Sequence, residues 1–517
     1  MLYSAHLSRP MKSTFRWTAR VLAPAVLLCA AGCVRRADSP VLAVVQSSDI
    51  TTLDPNRTFE VVNDIVAMNV FDPLLRFDQH MTLQPSLAVR WENPNDRTWR
   101  FHLRPGVRFH DGAPLTSEDV VFTFRRVLAH PESEIYPFLS GIRRIDAPDP
   151  ETVEIETDQP TPLLTRLSFV YILPGKRLTR EGDAEFFRHP VGTGPYRFVR
   201  WVPGDRVEVS AWSRYWGGSP AVPTAAFRSV EKPEARWQLV SREHPTVLLE
   251  GPRQGWEAHR GDPRLRLIAR PSLTVSYLGV NVSPRPGNPL ADRRVRQAIQ
   301  LAVDLKTLLR EGASNHGFPA SQYVPPDVVG YNPAIPLPPY DPARARDLLA
   351  RAGYPAGIDL VLDTQAETAT PLVQNLVRQL AAAGIRVAPK FWPKEAFFDR
   401  IDRGLSDFHL TGWVCTSGES AELFESSLHT RGPAGGLGRD NGTGYSNPEL
   451  DRLIEQLVAT IDPGARVDIE KRAMAIAVAD IPYVPLYVQE DRYVLTPDVV
   501  WEPRADGEIW LPEVRLR

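Results

Sequence analysis

A cysteine with histidines nearby is the feature of this sequence that could most readily support catalysis. Cys415 lies six residues after His409, and His429 follows further along the chain. A thiol acts as a nucleophile when a base and an orienting group converge on it in space, which spacing along the chain does not show. A buried, unreactive cysteine is the other interpretation. The sequence favours a structural Cys415 and leaves a thiol hydrolase centred on it as an alternative.

The motifs of common enzyme and cofactor sites are absent from the sequence. It contains no His-Glu-x-x-His, no Gly-x-Ser-x-Gly and no P-loop pattern, which argues against zinc proteases, serine hydrolases and P-loop enzymes. Gly192-Thr193-Gly194 lacks the third glycine of a dinucleotide-binding loop and runs into Pro195, so we interpret it as a structural turn. The eleven histidines show no ligand spacing. No catalytic residue, metal or cofactor is predicted.

Composition places the chain among ordinary folded proteins. It has 517 residues, of which 43% are hydrophobic and 24% charged, and a formal net charge of -2. That is enough apolar material for a large core or several domains. The near-neutral charge balance predicts no nucleic-acid partner. Three cysteines, Cys29, Cys33 and Cys415, are too few for a disulfide framework.

The first 33 residues have the composition of a secretory signal. Basic residues without any acid precede the apolar run 21–31, which is too short to span a bilayer because a span takes about 20 apolar residues. Met11 is an alternative start. Ala30-Ala31-Gly32-Cys33 resembles a bacterial lipobox in which alanine replaces the usual leucine. The sequence predicts a lipoprotein signal peptide over 1–33 with a lipid on Cys33; an ordinary cleaved signal and a retained anchor are the alternatives.

Strand and helix patterns alternate along the rest of the chain, which is typical of α/β domains. Thr116 and Asp119 have the spacing of a capping box that opens a helix. Further helices are predicted over 61–75, 293–309, 343–352, 372–383, 450–460 and 465–479. Apolar runs and alternation predict strands over 41–46, 99–103, 107–109, 153–157, 207–209, 275–282, 385–388, 483–488 and 493–495.

Several motifs occur in the order found in one protein family. The strongest lies between Asn95 and Val120 and includes Thr98-Trp99-x-Phe101-x-Leu103-Arg104-Pro105-Gly106 and Phe109-His110-Asp111-Gly112. The others are Leu53-Asp54-Pro55, Gly192-Thr193-Gly194-Pro195-Tyr196, Asn281 with 289–298, Gly412-Trp413, 445–451 and Ile481-Pro482. Through these motifs, residues 41–510 resemble a family 5 extracellular solute-binding protein, the class of oligopeptide-, dipeptide- and nickel-binding components of ABC importers.

The resemblance implies an α/β, two-lobed periplasmic-binding-protein fold of class II-like type, with an extra subdomain inserted in lobe I. Lobe I is expected to comprise 34–57, 188–272 and 485–517, the inserted subdomain 58–187, and lobe II 273–484. The expected function is that of a monomeric receptor in the periplasm or cell envelope, held to the membrane by the lipid on Cys33. It would deliver a peptide-like or other small solute to ABC transporter permease subunits. A signalling or chaperone-like receptor of the same fold is the alternative.

The resemblance also implies the ligand contacts, because peptides lie extended between the lobes in the peptide-binding relatives. Carried over by motif, the contacts are Phe59, Val61, Tyr136, Trp413, Val414, Cys415 and Thr416. Tyr136 and Trp413 have an alternative as core or rim aromatic residues. Peptide-binding relatives have an aspartate at the position of Thr416, where it pairs with the α-ammonium group of the ligand. The ligand is therefore expected to lack a free amino terminus there, unless Glu419 or Glu422 reaches back; a peptide, modified peptide, sugar or metal chelate all remain open.

Overall fold

The computed structural model describes residues 40–313, 316–366, 368, 370–432 and 436–517. The predicted signal peptide 1–33 and the predicted lipid attachment at Cys33 lie outside these residues. The strands are β1 (Leu42–Gln46), β2 (Leu75–Phe77), β3 (Leu83–Pro85), β4 (Ala88–Asn95), β5 (Thr98–Leu103), β6 (Ile142–Asp149), β7 (Thr152–Thr157), β8 (Tyr196–Val202), β9 (Arg206–Ala211), β10 (Thr224–Ser229), β11 (Thr246–Leu248), β12 (Arg266–Val280), β13 (Phe318–Pro319), β14 (Ile358–Gln365), β15 (Ile385–Trp392), β16 (Phe408–Val414), β17 (Tyr483–Leu495), β18 (Val499–Val500) and β19 (Arg515–Leu516).

The helices cover the faces of the sheets and fill the connections between strands. They are α1 (Val61–Val70), α2 (Ser117–Leu128), α3 (Tyr136–Leu139), α4 (Gly175–Glu181), α5 (Asp183–Phe186), α6 (Pro233–Val240), α7 (Trp256–His259), α8 (Arg293–Leu301), α9 (Leu305–Thr307), α10 (Pro342–Arg351), α11 (Thr370–Ala382), α12 (Lys394–Asp402), α13 (Ala421–Leu423), α14 (Pro448–Ala459) and α15 (Pro463–Asp480).

Two long antiparallel strands, β12 and β17, join the two lobes. The sheet order is β15-β14-β16-β12-β17-β11-β1-β10-β9-β8. The first half of β12 pairs with the last half of β17, and that end of β17 also pairs with β11. The second half of β12 pairs with the start of β17 and with β16. The register shifts between Pro271 and Val275, so the two halves of the sheet meet at an irregular crossing.

Each lobe has its own apolar core. In lobe I, Leu42, Phe227 and Val247 are fully buried around β1, β10 and β11. In lobe II, Leu362 and Phe408 are fully buried against α8, α10 and α11, and a second cluster packs under α14 and α15. The cluster under α14 and α15 also contains Met81 and Ala505, so apolar contacts tie lobe II to the rest of the chain.

A separate antiparallel sheet, in the order β4-β5-β7-β6, lies between β1 and β8 in the chain. The predicted alternation at Trp99, Phe101 and Leu103 is confirmed, because all three side chains are buried on one face of β5. The predicted capping box is also present: the Thr116 amide donates to Asp119 Oδ2 at 3.0 Å and opens α2. This sheet lies inside the range 58–187 expected for the inserted subdomain, whose bounds stay a prediction.

The turn at Gly192-Thr193-Gly194 packs against the end of α1, which confirms its structural interpretation. A Cβ at Gly192 would lie 2.0 Å from the carbonyl oxygen of Val70, and the Gly194 amide donates to that same oxygen at 3.0 Å. His110 contacts the Gly194 carbonyl through Nε2 at 2.9 Å. Burial lowers the pKa of His110 to about 4, so this histidine is neutral and structural.

Three of the predicted segments differ from the elements in the structure. Residues 107–109 do not form a continuous strand: Val107 and Phe109 are buried, and Arg108 makes an isolated β-bridge with Pro114. The helix predicted over 293–309 breaks before Asp304, whose side chain accepts hydrogen bonds from the amides of the next turn. The two strands predicted over 483–495 are one continuous strand, β17.

Candidate functional site

A cleft lies at the crossing of β12 and β17, between the two lobes. It holds a cavity of about 280 Å³. Lobe I contributes Asp491 and Tyr493 from β17, and lobe II contributes Thr274 from β12 and Val414 from β16. The remaining lining residues that bear on the chemistry are Phe59, Val61, Asp64, Arg76, Phe77, Phe169, Glu250, Thr416, Arg504, Asp506, Gly507, Glu508 and Trp510.

A second cavity, of about 730 Å³, continues the cleft between the subdomain and the loop after β16. Phe59 and Thr416 line both cavities, so they mark the junction. The Phe59 ring is held by Phe138 and Phe169, at centroid distances of 5.4 and 5.0 Å. Cavities of this size match those that bind small organic ligands, which occupy roughly 300–1,000 Å³.

Four of the seven predicted ligand contacts line this cleft and three do not. Phe59, Val61, Val414 and Thr416 line the first cavity. Three others line neither cavity. Tyr136 is half-buried at the start of α3, Trp413 packs against the apolar cluster of lobe II, and Cys415 is fully buried. Their role as ligand contacts stays a prediction.

The environment of Cys415 disfavours thiol chemistry. Its side chain is fully buried, and Sγ donates to the carbonyl oxygen of Glu419 at 3.3 Å. Burial, with a smaller contribution from Glu422, raises the pKa of the thiol well above its ordinary value. The reactive form of cysteine is the thiolate. A protonated, enclosed thiol supports the structural interpretation and argues against the thiol hydrolase.

Of the two acids near Thr416 in the sequence, Glu422 is the one that reaches it. Thr416 Oγ1 donates to Glu422 Oε2 at 3.4 Å, and burial raises the pKa of Glu422. Glu419 is engaged elsewhere, because its carboxylate pairs with Arg466 at 2.7 Å. A carboxylate therefore stands beside Thr416, the position where the sequence resemblance implies an aspartate in peptide-binding relatives.

Carboxylates that sequence reasoning did not identify line the first cavity. Asp64 comes from α1, Glu250 follows β11, Asp491 lies in β17, and Asp506 and Glu508 lie in the C-terminal segment. No motif connects these positions, which are brought together by tertiary folding alone. The cationic side chains in the lining are Arg76 and Arg504.

The two arginines are already paired. Arg504 contacts Asp506 at 2.7 Å and Glu513 at 3.0 Å. Arg76 pairs with Asp72 and lies over the Trp510 ring, with 4.5 Å between the guanidinium carbon and the ring centroid. The first cavity therefore carries more negative than positive charge.

Other kinds of site are not evident in the described part of the chain. Across residues 40–517, with the gaps given above, no group of three or more His, Cys, Asp or Glu side chains is placed to hold a metal ion. Within the same residues, no helix combines the length and apolar character needed to cross a membrane.

Comparison with known proteins agrees with this architecture. A sequence profile described as bacterial extracellular solute-binding proteins, family 5 middle, matches residues 82–435. The glutathione-binding protein GsiB of Pectobacterium atrosepticum is 30% identical over 469 residues, which cover 87% of this chain and 88% of that protein. The chain belongs to the family 5 extracellular solute-binding proteins. The resemblance inferred from the sequence motifs is confirmed.

Solved structures of the same architecture cover nearly the whole chain. HbpA2 of Haemophilus parasuis matches with a TM-score of 0.84 at 23% identity and covers 93% of this chain and 100% of its own. The periplasmic binding protein DppA of Helicobacter pylori, in complex with the peptide STSA, matches with a TM-score of 0.70 at 22% identity, covering 92% and 98%. The family 5 protein thus has the predicted two-lobed fold and belongs to a family of solute-binding proteins, not of enzymes.

Proposed function

We propose that this family 5 protein is a monomeric, lipid-anchored receptor of the periplasm or cell envelope that captures a peptide-like solute and delivers it to ABC transporter permease subunits. The observation that carries the proposal is the cleft at the crossing of β12 and β17, which both lobes line. A solute bound there contacts both lobes at once. Binding stabilises the closed arrangement of the lobes by the difference between the binding free energies of the solute for the closed and the open arrangement.

The lining of the cleft supports a peptide-like solute. Phe59, Phe77 and Phe169 supply apolar surface, while carboxylates and hydroxyls supply polar contacts in the same cavity. Peptides combine apolar side chains with charged termini, so they suit such a mixed surface. The relatives support the same class, since they include a glutathione-binding protein and a protein solved with a bound tetrapeptide.

The proposed anchor and the proposed partner rest on the sequence and the family. The basic and apolar segments of 1–33, followed by Cys33, have the composition of a lipoprotein signal. A lipid on Cys33 would hold the receptor at the membrane surface beside its permease. The family supports the permease partner, since its members serve ABC importers.

Thermal unfolding with added solute tests the proposal. A ligand that binds the folded state alone stabilises it by RT ln(1 + [L]/Kd), which is about 2.7 kcal/mol at a hundred times Kd. We expect at least one member of a panel of trialanine, other tripeptides, tetrapeptides and glutathione to raise the unfolding temperature progressively with concentration. A panel in which no compound shifts the transition would contradict a peptide-like solute.

A further inference from the structure

The carboxylates of the first cavity differ in whether they have partners. Asp506 pairs with Arg504. Asp64 accepts a hydrogen bond from the Tyr171 hydroxyl at 3.1 Å, and its neighbour Glu508 has a pKa raised well above its ordinary value by burial and by the charge of Asp64. The remaining carboxylate with partners, Glu250, accepts a hydrogen bond from Ser47 Oγ and has Arg236 at 3.7 Å.

Asp491 is the exception. Among the residues that the structure describes, none donates a hydrogen bond to its carboxylate, and no cationic side chain lies within 4 Å of it. Its register partner in β12 is Arg270, but that guanidinium is directed to Asp327, at 3.1 Å, and to the Pro503 carbonyl. Asp491 therefore faces the cleft without an ion pair, and Arg270 attracts it only from beyond 4 Å.

Tyr493 adds an independent observation in the same place. It lies two residues further along β17, so both side chains project from the same face of the strand. Its side chain is fully buried and lines the cavity, and its hydroxyl has no hydrogen-bond partner among the described residues. A buried hydroxyl without a partner is costly, which indicates that a ligand or water completes it.

The two groups border one small space beside Gly507. A Cβ placed on this glycine would lie 3.6 Å from Asp491 Oδ2 and 3.7 Å from Tyr493 Oη. The absence of a side chain at Gly507 therefore leaves room between a carboxylate and a hydroxyl. An ammonium or guanidinium group that enters this space can donate to both oxygens.

We propose that Asp491 and Tyr493 form a subsite for a positively charged group of the solute, an ammonium or a guanidinium. The inference rests on the proposed function, because it describes one end of the same cleft. It places the cation on the lobe I side of the cleft. In peptide-binding relatives the aspartate that binds the ammonium group is instead expected at the position of Thr416. The solutes of this receptor are then cationic or zwitterionic.

Glu422 is the competing carboxylate, and its contacts argue against it. It already accepts a hydrogen bond from Thr416 Oγ1 at 3.4 Å, and the neighbouring Ser417 favours its charged form. A carboxylate whose lone pairs are satisfied by the protein gains less from a ligand cation than one with no partner. Asp491 therefore holds the cation in preference to Glu422.

Matched peptide probes test the subsite at pH 7.5, above the pKa of Asp491, which burial raises to about 6. The probes are trialanine, N-acetyl-trialanine, glutathione, and N-acetylated Ala-Lys-Ala and Ala-Arg-Ala. The proteins are the wild type, Asp491→Asn, Glu422→Gln, and Asp347→Asn as a control. Asp347 lies on the surface of α10 and pairs with Arg351, so its replacement makes the same charge change away from the cleft.

We expect the four probes that carry an ammonium or guanidinium group to bind the wild type about ten-fold or more tightly than N-acetyl-trialanine. Asp491→Asn should abolish that preference, while Glu422→Gln and Asp347→Asn keep it. The unfolding temperature of ligand-free Asp491→Asn should not fall, because the amide removes an unpartnered buried charge. A lower temperature would mark Asp491 as a structural residue and count against the subsite.

The outcomes separate this inference from the function on which it rests. If peptides bind but N-acetyl-trialanine binds as tightly as the probes with an ammonium or guanidinium group, or if Asp491→Asn keeps the preference, the receptor function stands and the subsite is wrong. If Glu422→Gln alone loses the preference, the cation lies on lobe II and the subsite is likewise wrong. If no probe binds the wild type, the peptide-like function fails and the subsite fails with it.

Discussion

A substitution at Thr416 tests whether a carboxylate at this position of the cleft binds the amino terminus of a peptide. Thr416→Asp supplies the carboxylate that peptide-binding relatives are expected to have there. A hydrogen bond to a charged group contributes about 1.5–3 kcal/mol, which corresponds to about ten- to a hundred-fold in affinity. We therefore expect the substitution to raise the affinity for peptides with a free amino terminus when it is made in Asp491→Asn, in which the lobe I subsite no longer competes for the ammonium group.

Glu422 reduces this gain in the single variant. Its Oε2 lies 3.4 Å from Thr416 Oγ1, so the new carboxylate would stand at a similar distance from an existing one. Two negative charges at that separation repel by about 5 kcal/mol at an effective dielectric constant of about 20. This exceeds the gain, so one of the two carboxyls keeps a proton. Combining Thr416→Asp with Glu422→Gln removes the second charge and should release the full gain.

Calorimetry with trialanine and N-acetyl-trialanine measures the effect. All four proteins carry Asp491→Asn. The expected order of affinity for trialanine is Asp491→Asn itself, then this parent with Thr416→Asp, then the parent with both Thr416→Asp and Glu422→Gln, with about ten-fold or more between the first and the last. The parent with Glu422→Gln alone is the control and should resemble the parent. The acetylated peptide has no ammonium group, so its affinity should be the same for all four proteins.

Equal trialanine binding by Asp491→Asn and by this parent with both further substitutions would refute the reasoning that Thr416 occupies the position of an ammonium-binding carboxylate. A gain that is the same for both peptides would also refute it, because the acetylated peptide has no positive charge for the new carboxylate to bind.

Two further predictions concern stability. Burial, with a contribution from Glu419, raises the pKa of Glu470 to about 8 in the folded state, whereas a glutamate in the unfolded chain has its ordinary pKa of 4.5. The folded state therefore loses stability as the pH rises from the lower to the higher of these two pKa values. Urea unfolding at pH 6 and pH 9 should show the wild type losing roughly 2–3 kcal/mol relative to Glu470→Gln, and parallel pH profiles would contradict this. A Cβ at Gly279 would lie 2.0 Å from Nε2 of the buried His409, so Gly279→Ala should cost about 1–3 kcal/mol. Gly436→Ala, with nothing within 4 Å of the added carbon, is its control, and equal unfolding temperatures for the two variants would contradict the prediction.

Local patterns predicted many of the elements, because strands and caps depend on neighbours in the chain. The alternation of Trp99, Phe101 and Leu103 predicted β5, and the spacing of Thr116 and Asp119 predicted the start of α2. The prediction failed for β17. Residues 489–492 are polar and interrupt the apolar pattern, yet Glu490, Asp491 and Arg492 pair with β12.

The sequence by itself determined the family, the alternating α/β order, the motifs that form turns and caps, and the departure at Thr416. Only the tertiary structure decided which charged groups meet in the cleft. Asp64, Asp491 and Glu508 are far apart in the chain and share no pattern. Likewise, Glu422 faces Thr416 while Glu419 pairs with Arg466, although both acids lie close to Thr416 in sequence. Periodicity reports which face of an element a side chain occupies, whereas a binding site depends on distances between elements that only packing sets.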